Sequence, residues 1–306
     1  MTASGTEPQH SSFAPLSGEL LAELRRIELR SRRSLDTDLM GSYRSAFRGT
    51  GLSFADVREY QPGDDIRHIH WKVTARTNKP YVKTFEEDRH LNIVLAVDIS
   101  RSMNVGSPKT KYRKAVEFAA LISTLAHRNQ DNLALCLFAG NVTDFVPLRG
   151  SRTQLQQVLY TLLLQRTLPT DTNLSQALTH LRTHIKRTSI IFLLSDFINE
   201  QDYDQDLRSL SYKHDLIAVC VEDSFSTNLP KGGLVEFIDA ERGSRYTIDT
   251  SSKRVRDALT LEYTKRRETL SAQMQYCGAD LLFLEEDLLK PLSVLMRKRA
   301  KRLHHA

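Results

Sequence analysis

Apolar residues change their spacing along the chain, and each change marks an element. Leu20, Leu24 and Ile27 recur at helical spacing behind Ser17, a candidate N-cap, and Arg25, Arg26, Arg30, Arg32 and Arg33 make that helix basic. From Gly41 to about His90 short β-prone runs alternate with Gly, Pro and Asp, and Gln61-Pro62-Gly63-Asp64 suits a type II turn. A small β-rich module is expected there. From Leu91 the rhythm changes again. Asn92 to Asp98 is a continuous apolar run closed by a carboxylate, the pattern of a strand buried on both faces.

A helix is expected next, with Tyr112, Ala115, Val116, Ala119, Ile122 and Ala126 on one face; Leu133 to Phe138 and Val142 to Val146 then read as a strand pair. Leu155, Val158, Leu159, Leu162 and Leu163 mark a helix, as do Leu174, Ala177, Leu178, Leu181 and Ile185, followed by strands at Ser189 to Leu194 and Leu216 to Val221. Leu234 to Asp239 and Arg245 to Asp249 resemble an inserted hairpin. A charged helix from about Ser252 to Tyr276, a strand Asp280 to Leu284 and a final helix follow. This alternation predicts an α/β fold with a doubly wound, mostly parallel sheet, whose ligand site lies at the carboxyl ends of its strands. The expected organisation is a disordered tail over 1–17, a helix and small β-rich module over 18–90, and an α/β domain over 91–306 with the hairpin near 234–249.

Composition narrows the class. A chain of 306 residues has room for about two domains. With 40% hydrophobic residues, 26% charged residues, 13 Gly and 9 Pro, it is neither collagen-like nor wholly disordered. The apolar runs fall short of the ~20 residues a spanning helix needs, and the polar first residues lack a secretory pattern, so a cytoplasmic location is expected. Cys136, Cys220 and Cys277 are far apart and set in apolar surroundings, which predicts buried thiols rather than disulfides or a zinc site. A net charge of +6 gives only weak attraction to acidic partners.

The chemistry concentrates in Asp98-Ile99-Ser100-Arg101-Ser102, between a buried strand and a helix. Thr172 precedes a later helix and Asp196 follows the strand Ile190 to Ser195. Hard divalent cations take oxygen ligands, and Mg²⁺ wants six of them while keeping some water. Asp98, Ser100, Ser102, Thr172 and Asp196 are therefore candidate ligands for Mg²⁺ or Mn²⁺, with Thr170 as the alternative threonine. In order and placement the five resemble the metal-ion-dependent adhesion site of von Willebrand factor type A domains. The resemblance implies that the serines and threonine contact the metal, that the aspartates act largely through water, and that a partner carboxylate completes the coordination.

A second resemblance lies upstream. Gly51 to Arg76, containing Arg58-Glu59-Tyr60-Gln61-Pro62-Gly63-Asp64-Asp65 and His70-Trp71-Lys72, is similar to the signature of the domain of unknown function 58 family. Many relatives carry an acidic residue where this chain has His70, and many carry membrane helices at their amino end. The resemblance implies a MoxR-type AAA+ ATPase as partner and an acidic client protein, with the pair acting in assembly or maturation of a complex. From the residues themselves, Arg58, Glu59, Asp64, Asp65, Arg67 and Lys72 are expected to form a charge network around the Pro62-Gly63 turn, with Trp71 as an apolar anchor. A structural clasp accounts for this better than a binding surface, since mixed charges beside a turn usually stabilise packing or stay solvated.

The expected function is thus a non-enzymatic, metal-dependent protein-interaction module. Two other classes remain. One is a metal-assisted hydrolase of phosphates or esters, with Asp171 or Asp196 as base. The other is nucleic-acid binding through basic ends such as Arg297-Lys298-Arg299, which is not expected because no aromatic platform accompanies them. His180 and His184 lack a third ligand and read as solvated helix residues; His68 and His70 would share one side of a strand. Gly106 to Lys111 lacks the spacing of a phosphate-binding loop, and no G-x-S-x-G nucleophile elbow occurs.

Overall fold

The computed structural model describes residues 37–47, 52–62, 64–65, 69–77, 79–87, 90–106, 108–165, 172–198, 202–223, 233–238 and 245–304, with positions 22 and 26. The expected 1–17 tail and the residues Leu20, Leu24 and Ile27 lie outside them.

A first helix, α1 (Thr37–Phe47), precedes β1 (Leu52–Glu59), the short α2 (Trp71–Thr77) and β2 (Tyr81–Glu87). β1 and β2 form an antiparallel pair with a bulge between Phe54 and Asp56. The β-rich expectation from Gly41 onward misses both helices. α1 runs through Gly41 because Leu39, Tyr43, Ala46 and Phe47 bury one stripe in the main core, outweighing the weak helix propensity of glycine. Ahead of α2, Ile69 makes an isolated antiparallel bridge to Val82 and His70 N donates to Tyr81 O at 2.8 Å, while His70 Nδ1 accepts from Val73 N at 3.3 Å. His68 lies outside the described residues.

The main sheet contains β3 (Asn92–Asp98), β4 (Asn132–Phe138), β5 (Val142–Arg149), β6 (Ile190–Ser195), β7 (Asp215–Val221) and β10 (Asp280–Leu284), in the order β10-β7-β6-β3-β4-β5. All neighbours are parallel except β4 and β5. Helices α3 (Lys111–Arg128), α4 (Arg152–Leu164), α5 (Leu174–His184), α6 (Asp204–Lys213), α7 (Lys253–Tyr276) and α8 (Leu289–His304) connect the strands. β8 (Leu234–Ile238) and β9 (Arg245–Asp249) pair antiparallel as the expected hairpin.

The pleat divides the core in two. Ile93, Leu95 and Val97 face α1, α3, α4 and α8, whereas Val94 and Ala96 face α5, α6 and α7. Burial on both sides explains the unbroken apolar run of β3. On the first face Phe192 packs edge-on against Phe47 and Phe118, at centroid distances of 6.0 and 6.1 Å. Burying one such ring contributes roughly 1.5–3 kcal/mol. The three cysteines are free and buried.

From β3 the chain builds outward to β4 and β5, returns across the sheet, and builds the other way through β6, β7 and β10. Strand order therefore reverses between β3 and β6. In an open α/β sheet the crevice beyond that reversal is where ligands bind.

Candidate functional site

Asp98 ends β3 at the reversal, opposite Phe138 of β4, and Val97 pairs with Leu194 of β6. Its carboxylate is wholly buried. Ser100 N donates to Oδ1 at 2.8 Å, a local turn of the kind aspartate favours, and Ser195 Oγ donates to Oδ2 at 2.7 Å. Met103 N returns to Ser100 O at 3.1 Å to open the 3₁₀ turn Arg101–Asn104. This turn brings the buried Ser100 and Ser102 hydroxyls together, with the Oγ atoms 3.1 Å apart.

Asp196 follows β6. Its Oδ1 accepts from Ile198 N at 3.2 Å and its Oδ2 from Lys111 Nζ at 2.8 Å, while Arg266 Nη2 donates to its carbonyl at 2.6 Å. Phe197 takes a left-handed φ of 53° with its N–H held by Ser195 Oγ at 3.1 Å. A non-glycine residue in that region stores strain of order 1–3 kcal/mol, a feature concentrated at functional sites. Burial pushes the Asp98 carboxyl up, and the charge of Asp196 pushes it further; the Ser195 and Ser100 hydrogen bonds offset part of this, leaving it at about 7.

On the other side of β3, Ile99 N donates to Phe138 O at 2.8 Å, and Asn173 N donates to Ala139 O at 2.7 Å. Asn173 also caps α5 through Gln176 N. These bonds set Thr172 beside the carboxyl end of β4. Its Oγ1 is buried and has no hydrogen-bond partner among the described residues. Buried polar atoms are nearly always satisfied, so an orphaned hydroxyl calls for an explanation. Thr170 and Asp171 lie outside the described residues.

The five expected residues thus stand at the ends of β3, β4 and β6. Sequence reasoning missed Ser195, which fixes Asp98, and Lys111, which pairs with Asp196. Ser195 carried a signal, a hydroxyl closing an apolar strand directly before a carboxylate. Lys111 carried none, because its pairing spans the fold. Its position depends on the loop before α3: Lys111 N donates to Val105 O at 2.8 Å, Thr110 caps the helix, and Gly106 has φ 134°. A Cβ at Gly106 would lie 2.6 Å from Lys109 O.

Chemically, these strand ends carry hard oxygens. Among the described residues no three His, Cys, Asp or Glu side chains gather to hold a metal, so a cation here would depend on hydroxyls. Three hydroxyls and two carboxylates fit an oxygen-seeking divalent ion, and the unpartnered Thr172 hydroxyl fits a missing ligand bond.

Two sequence expectations are corrected elsewhere. His184 is exposed, but His180 is half-buried: it stacks on His184 at 3.8 Å, meets Phe145 edge-on at 5.1 Å, and its Nε2 is buried without a partner among the described residues. In the upstream module Asp64 N donates to Gln61 O at 3.0 Å, closing the turn, and Arg58 grips Asp64 through two bonds of 2.8 and 2.6 Å. Lys79 pairs with Glu59 at 2.9 Å. Trp71 is no anchor, since it is 70% exposed; α2 buries none of its residues. Arg67 lies outside the described residues.

Fold and site define a doubly wound α/β protein with a group of hydroxyl and carboxylate side chains at its switch point. The sequence profile described as "Protein of unknown function DUF58" matches residues 56–269, and the chain belongs to that family. It is 32% identical over 274 residues to the uncharacterized protein Rv1480 of Mycobacterium tuberculosis, covering 88% of this chain and 86% of that protein. Among solved structures it is similar to an aerotolerance-related membrane protein from Bacteroides fragilis (13% identity, TM-score 0.41, 69% of this chain and 99% of that one). It is also similar to the conserved hypothetical protein BatB from Bacteroides thetaiotaomicron (10% identity, TM-score 0.41, 71% and 100%). Among the described residues no helix is long and apolar enough to cross a membrane.

Proposed function

We propose that this protein is a non-enzymatic, divalent-metal-dependent interaction module of the von Willebrand factor type A kind. Ser100, Ser102 and Thr172 would hold Mg²⁺ or Mn²⁺ directly, with Asp98 and Asp196 supporting it. The observation that carries the reading is the buried Thr172 hydroxyl without a partner among the described residues, at the carboxyl end of β4 next to the end of β3 that carries the Ser100 and Ser102 hydroxyls. When bound, the ion supplies an electrophilic centre that takes a carboxylate from another protein.

The chain's own groups prepare that centre. Ser195 and Ser100 N hold the Asp98 carboxylate in one orientation. Ile198 N does the same for Asp196 through Oδ1. We assign a MoxR-type AAA+ ATPase as the working partner and an acidic client as the bound protein, the pair serving assembly or maturation of a complex in the cytoplasm. Co-purification with such an ATPase should be retained in Mg²⁺, lost in EDTA and lost in Asp98→Ala/Ser100→Ala. Retention in all three conditions would refute the metal-bridged function.

A further inference from the structure

Lys111 occupies an unusual position for a lysine. It is the first residue of α3, a helix that starts next to the candidate site, and its side chain is 11% exposed against 2% for its partner Asp196. Its ammonium lies 2.8 Å from Asp196 Oδ2. Lysine is a compact point charge that is rarely buried unless paired. Here it pairs with Asp196, a buried carboxylate whose charge lies close enough to raise the Asp98 carboxyl. The loop leading to it is constrained by Gly106 and by the Lys111 N to Val105 O bond, which fix where the Lys111 backbone enters α3.

We propose that Lys111 is a tethered cation that competes with the divalent ion for Asp196 and so sets the ion's affinity, a role that rests on the metal-site reading above. Without metal, the ammonium keeps Asp196 compensated. A divalent ion drawing on the same carboxylate meets a like charge beside it, so binding requires the ammonium to leave Oδ2 and turn outward. Metal occupancy would then be coupled to the exposure of one lysine at the start of α3. A partner that supplies its own carboxylate would tip this balance by adding the negative charge the ion needs.

The test uses the full chain at constant ionic strength. Mn²⁺ titration of the wild type, Lys111→Gln and Lys111→Met should give affinity about tenfold tighter in the variants. Lys111→Gln retains a hydrogen-bond donor for Asp196 and serves if Lys111→Met does not fold. In the wild type, acetylation of Lys111 by an amine-reactive ester, read by peptide mass spectrometry, should rise several-fold on Mn²⁺ saturation. Lys114, held by Glu222 O and Glu286 and almost fully buried, should stay unlabelled and serves as internal control. Equal or weaker Mn²⁺ binding in the variants, or unchanged Lys111 labelling while Mn²⁺ binds, would overturn the competition and leave the metal site standing. No Mn²⁺ binding to any of the proteins would overturn the metal site and the competition together.

Discussion

Replacing Arg299 by Ala should destabilise the fold far more than replacing its neighbour Arg302. Arg299 lies on α8 with its side chain 10% exposed. Its Nε donates to Asp280 Oδ2 at 2.7 Å, its Nη1 to Asp215 Oδ2 at 2.7 Å, and its Nη2 to Asp215 Oδ1. Its guanidinium also sits 5.2 Å from the Phe47 ring centroid. One side chain thus ties α8 to the first residues of β7 and β10 and to α1. Removing one member of a buried pair typically costs 3–5 kcal/mol, but Asp215 is 41% exposed and Asp280 keeps Arg302 at 3.0 Å. We therefore expect about 2–4 kcal/mol for Arg299→Ala, and about 0–1 kcal/mol for Arg302→Ala, whose side chain is 57% exposed. For a chain of this length that corresponds to a Tm lower by about 3–6 °C in the first variant.

Burial raises the Asp280 carboxyl, but the charges and hydrogen bonds of Arg299 and Arg302 outweigh it and hold it below its ordinary 3.8. Because the folded value is the lower one, this stability is present above pH 3.8 and is lost as pH falls through the folded value. Thermal unfolding of both variants across pH is the assay. Equal Tm losses in the two variants, or a loss below about 1 kcal/mol in Arg299→Ala, would refute the hub.

His214 is buried between α6 and β7 with neither ring nitrogen partnered among the described residues, so His214→Phe should raise stability by about 1–2 kcal/mol in denaturant titration; an equal or lower midpoint would contradict this. Burial, then the nearby Lys213 charge, holds its folded pKa below 6.5, so the wild type should lose stability as pH falls below 6.5 and the variant should lose less. Trp71 is the chain's single tryptophan, so its fluorescence should show a water-exposed, readily quenched indole, and Trp71→Ala should shift stability by no more than about 0.5 kcal/mol. A shielded, poorly quenched emission would contradict its exposure.

Much of the fold is readable from periodicity where burial is one-sided or complete. β3 shows as an unbroken apolar run because helices cover both of its faces, and α5 shows as a stripe because it buries one side. The helices that escape detection have weak local signals. α6 buries only Leu207 and Leu210, α2 buries nothing, and α1 carries a glycine inside a stripe completed by α8 and the sheet. At the site, residues at strand ends announce themselves by following apolar runs. The Lys111 to Asp196 pair joins residues 85 apart in sequence and arises only when β3 and β6 become neighbours. Trp71 misled for the opposite reason: a large apolar residue suggests an anchor, and nothing local reveals that its helix lies on the surface.

The most direct test of the central claim is isothermal titration of the full chain with Mg²⁺ and Mn²⁺, beside an Asp98→Ala/Ser100→Ala variant verified as folded by circular dichroism. Saturable binding in the wild type that disappears in the variant is the predicted result. Binding of equal strength in both, or in neither, would contradict a metal centre built on Asp98, Ser100, Ser102, Thr172 and Asp196.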